Sequence, residues 1–113
     1  RALFFASLAE DFLCHTPGQS PIAGQFMGSA GMTRHVAQMR ELTDGAFKVW
    51  PRGELMIAGE FATLPTMVRA SRPDGRQIEI EAFGIWRFRD GKVAEHWEMP
   101  LDIARFDAFW RDQ

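Results

Sequence analysis

The residues best suited to do chemistry lie near the C-terminus, in "VAEHWEM" (93–99), where His96, Trp97 and Glu98 are consecutive. A carboxylate set in an apolar pocket gains proton affinity and can then remove a proton beside a carbonyl. Glu98 is a candidate for that work, with His15 or His96 assisting. Side chains alternate along a strand, so only one of His96 and Trp97 can face a given side. A second candidate sits in "DFLCHTPGQSPIAG" (11–24), where His15 follows the only cysteine, Cys14. Histidine is the commonest general base, but it needs a group to orient it and a substrate atom in reach. Cys14 reads as a small buried apolar residue on the face opposite His15.

Residues 1–9 read as the end of a helix, with Leu3, Phe4 and Leu8 at helical spacing, whose beginning is missing. A short strand is expected over 11–16, stopped by Pro17 and Gly18. Loop chemistry follows, with a short extended piece at Gln25–Met27. "SAGMTRHVAQMRELTDG" is the clearest helix, with Met32, Val36, Met39 and Leu42 or Thr43 on its apolar face and Asp44-Gly45 as its stop. His35 and Arg40 are expected on its solvated or groove-edge side. "AFKVW" and Leu55–Ser71 read as strands, with Gly59 and Pro65 as bulges or edge features. "RPDGR" and "RDGK" are hairpin turns around the long strand "QIEIEAFGIWRF". Ile80, Ala82, Gly84, Trp86 and Phe88 share one of its faces, and Glu79, Glu81, Phe83, Ile85 and Arg87 the other. A closing helix starts at an Asp102 cap and buries Ile103, Phe106 and Phe109 or Trp110.

Strands in runs, not alternating with helices, indicate an α+β fold. A curved antiparallel sheet with helices on its concave face makes a cone whose mouth is a natural pocket. The 113 residues are expected to form one domain, 1–113, large enough to bury a core without disulfides or metal.

The chemistry of "EHWE" depends on strand parity. With a plain two-residue turn at Asp90-Gly91, Phe88 pairs with Val93 and Gly84 with Trp97, and Trp97 faces the apolar side. One extra residue reverses this and turns His96 and Glu98 inward beside Gly84. The hydrophobic pattern favours the first arrangement.

Composition narrows the function. Net charge is −2, and the 13 Lys and Arg are scattered, which argues against nucleic-acid binding. One cysteine forms no internal disulfide, so a reducing, cytoplasmic setting is expected. The three His and single Cys match no metal-ligand spacing, and no cofactor motif is present. No apolar stretch approaches membrane-spanning length. Ten Phe, four Trp and six Met could wall a pocket for an apolar ligand, although most must be core.

"FLCHTPGQSPIAGQFMGSAGM" and "GIWRFRDGKVAEHWEMPLD" together resemble the SnoaL-like polyketide cyclase branch of the nuclear transport factor 2-like superfamily. The resemblance implies a cone-shaped α+β roll, often a homodimer packed through its sheet. It implies that Glu98 holds the place of the cyclases' general acid/base, which is Asp there and one methylene shorter, and that Glu98 faces inward. Gly84 stands where those cyclases can supply a histidine. Thr16 stands where ketosteroid isomerases place an aspartate before the proline, and the chain has no Tyr to act as their oxyanion donor. Isomerase activity in the strict sense is thus disfavoured, and the Asp-Arg-Asp set of the epoxide hydrolases is not found.

Two functions follow. The first is a cofactor-independent cyclase- or isomerase-type enzyme that moves a proton on a small hydrophobic carbonyl compound. Its catalytic candidates are Glu98, His15 and His96, and its ligand-binding candidates are Trp86, Trp97, Phe26, Met39, Gly84 and Phe12. The second is a non-catalytic ligand-binding or dimerisation domain of the same fold. In both, the mixed row Glu79 to Arg87 suits a homodimer sheet face.

Overall fold

The computed structural model describes residues 7–112. Its elements in chain order are β1 (Leu8–Thr16), β2 (Gly24–Met27), α1 (Gly28–Thr43), β3 (Phe47–Pro51), β4 (Met56–Ala58), β5 (Phe61–Ser71), β6 (Gln77–Arg89), β7 (Lys92–Pro100) and α2 (Ile103–Trp110). The sheet runs β2-β1-β7-β6-β5-β3, and β4 also pairs with β5. All pairs are antiparallel except β1 with β7, which is parallel. The chain reaches that pairing only after crossing from one side of the sheet to the other.

Local chemistry sets several of these boundaries. α1 stops where Asp44 turns left-handed at φ 51°, and its N–H bonds the carbonyl of Glu41. The carboxylate of Asp102 accepts the N–H of Arg105 at 3.0 Å and starts α2. Asp90 and Gly91 take φ of 52° and 77°, the left-handed pair that a two-residue hairpin turn requires.

Both helices cover the inner face of the sheet. Phe106, Phe109 and Trp110 of α2 pack with Ile22, Val68, Ala70, Ile78, Ile80 and Ala82, and Met39, Leu42 and Phe47 join them. A second cluster holds Leu8, Phe12, Cys14 and Val93, with Phe26, Met32 and Trp86 against it.

Three expectations are corrected. Leu3 and Phe4 lie outside the described residues, but β1 already begins at Leu8, which pairs with Val93. Helical spacing there was outweighed by a free edge of β7. His35 is not on the solvated side of α1; it is 4% exposed, because the helix turns it onto β1 and β2. Ile103 is 41% exposed, and the buried stripe of α2 is completed by Phe109 and Trp110 instead.

Candidate functional site

The parity of β7 decides the site. Arg89 pairs with Lys92 and Phe88 with Val93, as a plain two-residue turn demands. The register then shifts: Arg87 pairs with Glu95, so Ala94 is an extra residue on β7. Val93 and Ala94 are both buried. From Glu95 onward every side chain is therefore reversed relative to the simple pairing. Trp86 faces His96, and Gly84 faces Glu98, all on the inner side. Ile85 faces Trp97 on the outer side. The parallel pairing with β1 repeats the division, with Cys14 beside His96 and His15 beside Trp97.

The inner side opens onto a cavity of about 450 Å³. Most of its wall is apolar, from Ile22, Met32, Val36, Met39, Val68 and Phe106, among others. Its polar groups are Thr16, His35, His96, Glu98 and, from α1, the exposed Arg40. The Nδ1–H of His96 donates to the carbonyl of Ile85 at 3.0 Å, which fixes the tautomer and leaves the Nε2 lone pair free. That Nε2 lies 3.6 Å from Oε1 of Glu98. Oε2 of Glu98 lies 3.4 Å from the hydroxyl of Thr66. The indole of Trp86 stacks on His96 at 4.8 Å between centroids and folds back over Gly84. A Cβ at position 84 would collide with that indole, so the space above the glycine holds Trp86 and is not open to a ligand.

Two further groups stand nearby. Burial and the negative charge of Glu98 push the Cys14 thiol up to about 12, which keeps it protonated and poorly nucleophilic. Burial, with a smaller contribution from His96, pushes His35 down to about 4, so it is neutral at physiological pH. Its Nε2 lies 3.1 Å from the hydroxyl of Thr16, and Phe26 stacks on its ring at 4.1 Å.

The structure thus brings Glu98, His96 and Met39 to one cavity, with Trp86 and Gly84 behind His96. Phe12 is fully buried in the second core cluster. His15 and Trp97 are on the other side of the sheet, stacked on each other at 5.1 Å. There Nε2–H of His15 donates to Glu95 at 2.7 Å, and the amide of Gln25 donates to its Nδ1 at 3.3 Å. Arg87 holds the second oxygen of Glu95 at 3.0 Å. Hydrogen bonds from His15 and Arg87 hold the Glu95 carboxyl below the usual carboxylate range.

His35 was expected on the solvated or groove-edge side of its helix, although it lies three residues from Met32 and four from Met39, on the apolar stripe itself. Thr66, a mid-strand threonine, has nothing local in the sequence to mark it. A polar groove of about 740 Å³ at the β3 end, lined by Lys48, Arg69, Glu79 and Arg105 among others, contains none of the candidate residues. Among the described residues no three His, Cys, Asp or Glu gather as metal ligands. No helix among them is long and apolar enough to cross a membrane.

A curled sheet with two helices on its inner face is the nuclear transport factor 2-like, or cystatin-like, architecture. A cystatin-like protein of unknown function from Xanthomonas campestris shares it with a TM-score of 0.88 at 22% identity, over 98% of this chain and 85% of that one. A nuclear transport factor 2-like protein of unknown function from Burkholderia pseudomallei matches with a TM-score of 0.82 at 18% identity, over 96% and 82%. TerC, co-crystallised with polyporic acid, matches with a TM-score of 0.79 at 19% identity, over 93% and 81%. Within this class the chain belongs to the SnoaL-like domain family, whose model matches residues 2–96. The match ends at His96 and does not reach Glu98. No curated protein matches the sequence.

Proposed function

We propose that this SnoaL-like domain is a cofactor-independent proton-transfer enzyme acting on a small hydrophobic carbonyl compound. The observation that carries the reading is the Glu98–His96 pair, 3.6 Å apart on the wall of an apolar cavity, with the free Nε2 of His96 turned to the carboxylate. Glu98 takes a proton from the carbon beside the carbonyl. The C–H bond breaks, an O–H bond forms on Glu98, and the electron pair moves to the carbonyl oxygen as an enolate. The new O–H of Glu98 can then donate to the free Nε2 of His96, which shares the proton. The Thr16 hydroxyl, backed by neutral His35, is the donor for the enolate oxygen. The proton then returns to another carbon, or to the alkoxide left when the enolate closes a ring, so nothing is oxidised or reduced. The co-crystallisation of TerC, a protein of the same fold, with the organic molecule polyporic acid supports a ligand role for this cavity.

The test is deuterium exchange at the α-carbon of 2-tetralone, an apolar ketone, followed by NMR. The native protein is expected to accelerate exchange, and Glu98→Gln to remove roughly 100-fold or more of that acceleration. Equal rates with and without the carboxylate would discard the mechanism.

The reading includes a partner of the same kind. The half-buried outer row Phe83, Ile85, Trp97 and Met99 is apolar enough to pack against a second copy. Sedimentation should give a dimer, and Ile85→Lys a monomer that keeps its exchange activity; a native monomer at micromolar concentration ends this part.

A further inference from the structure

Thr66 lies on β5, opposite Ala82 in register, and is 5% exposed. Its hydroxyl has one hydrogen and two acceptors. One is the carbonyl of Ala82 at 3.2 Å, and the other is Oε2 of Glu98 at 3.4 Å. A hydroxyl turns about its C–O bond, so it can serve either acceptor but not both at full strength. The two acceptors are unequal in a way that depends on charge. An ionised carboxylate is a stronger acceptor than a carbonyl, and a neutral carboxyl is not.

We infer that Thr66 is a positioning residue whose hydroxyl follows the charge of Glu98. It donates to Oε2 while the carboxylate is ionised and swings to the Ala82 carbonyl once Glu98 has taken a proton. Such a partner suits a base that takes a proton and then gives it back.

The other titratable and charged groups on the cavity are His96 on the strand of Glu98, Cys14 on β1, and His35 and Arg40 on α1. Of the histidines and the arginine, only His96 lies within 4 Å of the carboxylate, and it faces the other oxygen, Oε1. Thr66 is therefore the one hydroxyl on Oε2 among the described residues.

This inference rests on Glu98 being the acid/base residue, and two measurements separate the two ideas. The first needs no turnover. The infrared carboxylate band of ionised Glu98, isolated as native minus Glu98→Gln, should move in Thr66→Val and stay in place in Thr66→Ser. The second is the pH profile of 2-tetralone exchange. Thr66→Val should lower the rate roughly fivefold and move the acid limb to higher pH, because the ionised base has lost its donor. Thr66→Ser should restore both. If Thr66 only braces the Ala82 carbonyl, Thr66→Val lowers stability but leaves the band and the limb in place, and the inference is overturned. A band that moves in a protein showing no exchange would keep the hydroxyl's role and remove the proposed reaction.

Discussion

His96 and Trp97 are neighbours in the chain, yet they end on opposite faces of the sheet, each beside an imidazole–carboxylate pair. On the outer face His15 has both ring nitrogens engaged, and Glu95 has both oxygens held, by His15 at 2.7 Å and Arg87 at 3.0 Å. On the inner face His96 keeps Nε2 free, and Glu98 is only loosely approached, at 3.6 Å and 3.4 Å. The outer pair ties β1, β2, β6 and β7 together, and each of its ring nitrogens and carboxylate oxygens already has a protein partner. The inner pair faces a cavity with capacity to spare. The same two residue types thus make a clasp on one side and a reactive pair on the other. The difference lies in how many partners each already has.

The strongest way to break this comparison is at the bulge. Val93 and Ala94 both point into the core, so Ala94→Asp buries an unpaired carboxylate there. It is expected to cost roughly 4 kcal/mol, read as loss of a cooperative urea transition. Deleting Ala94 leaves a regular ladder in which Arg87 still meets Glu95 and Gly84 still meets Glu98, so that variant should fold with both pairs on their present faces. A deletion variant with the faces exchanged would mean that the bulge does not set them.

Next come paired substitutions. Glu98→Gln should lose roughly 100-fold or more in exchange with little change in melting temperature, whereas Glu95→Gln should keep its exchange rate. Similar rates for the two variants would erase the functional distinction.

A third expectation concerns pH. His35 titrates near 4 when folded and near the ordinary 6.5 when unfolded. Its folded value is depressed, so its contribution is fully present above about 6.5 and is lost as pH falls towards 4. The native protein should lose roughly 3 kcal/mol over that range from this residue. Denaturant titrations at several pH values should show a flatter dependence in His35→Leu.

The smallest effect is on the outer face. Glu95→Gln should destabilise by roughly 1 kcal/mol at neutral pH, since its partners are polar and partly solvated. The Glu95 carboxyl is held low, so this stability exists above the ordinary 4.5 and fades as pH drops below it. Native protein and variant should therefore converge in strongly acidic solution.

Much of the fold was legible because its signals are local. Asp44-Gly45 and Asp90-Gly91 mark stops and turns by their own backbone preferences, and Asp102 caps its helix through a bond three residues away. Leu8 was less legible, since its strand exists only because β7 offers it an edge. His35 was misplaced because a polar residue on an apolar stripe is ordinarily solvated. Here Thr16 and Phe26, remote in sequence, make its burial tolerable. Gly84 could be seen to matter, but only the return of Trp86 over it shows what occupies the space.

Local residue patterns were enough for the inventory: an α+β cone, a hairpin at Asp90-Gly91, and a strand bearing His96, Trp97 and Glu98. They could not determine which of these residues faces the cavity. Side chains on a strand alternate, so one inserted residue reverses all that follow, and Ala94 carries no mark that it is the inserted one. Its place is set by Val93 and Ala94 both fitting the core and by β1 running parallel alongside. Those are contacts between segments some 80 residues apart in the chain, such as His15 with Glu95, and only the tertiary structure brings them together.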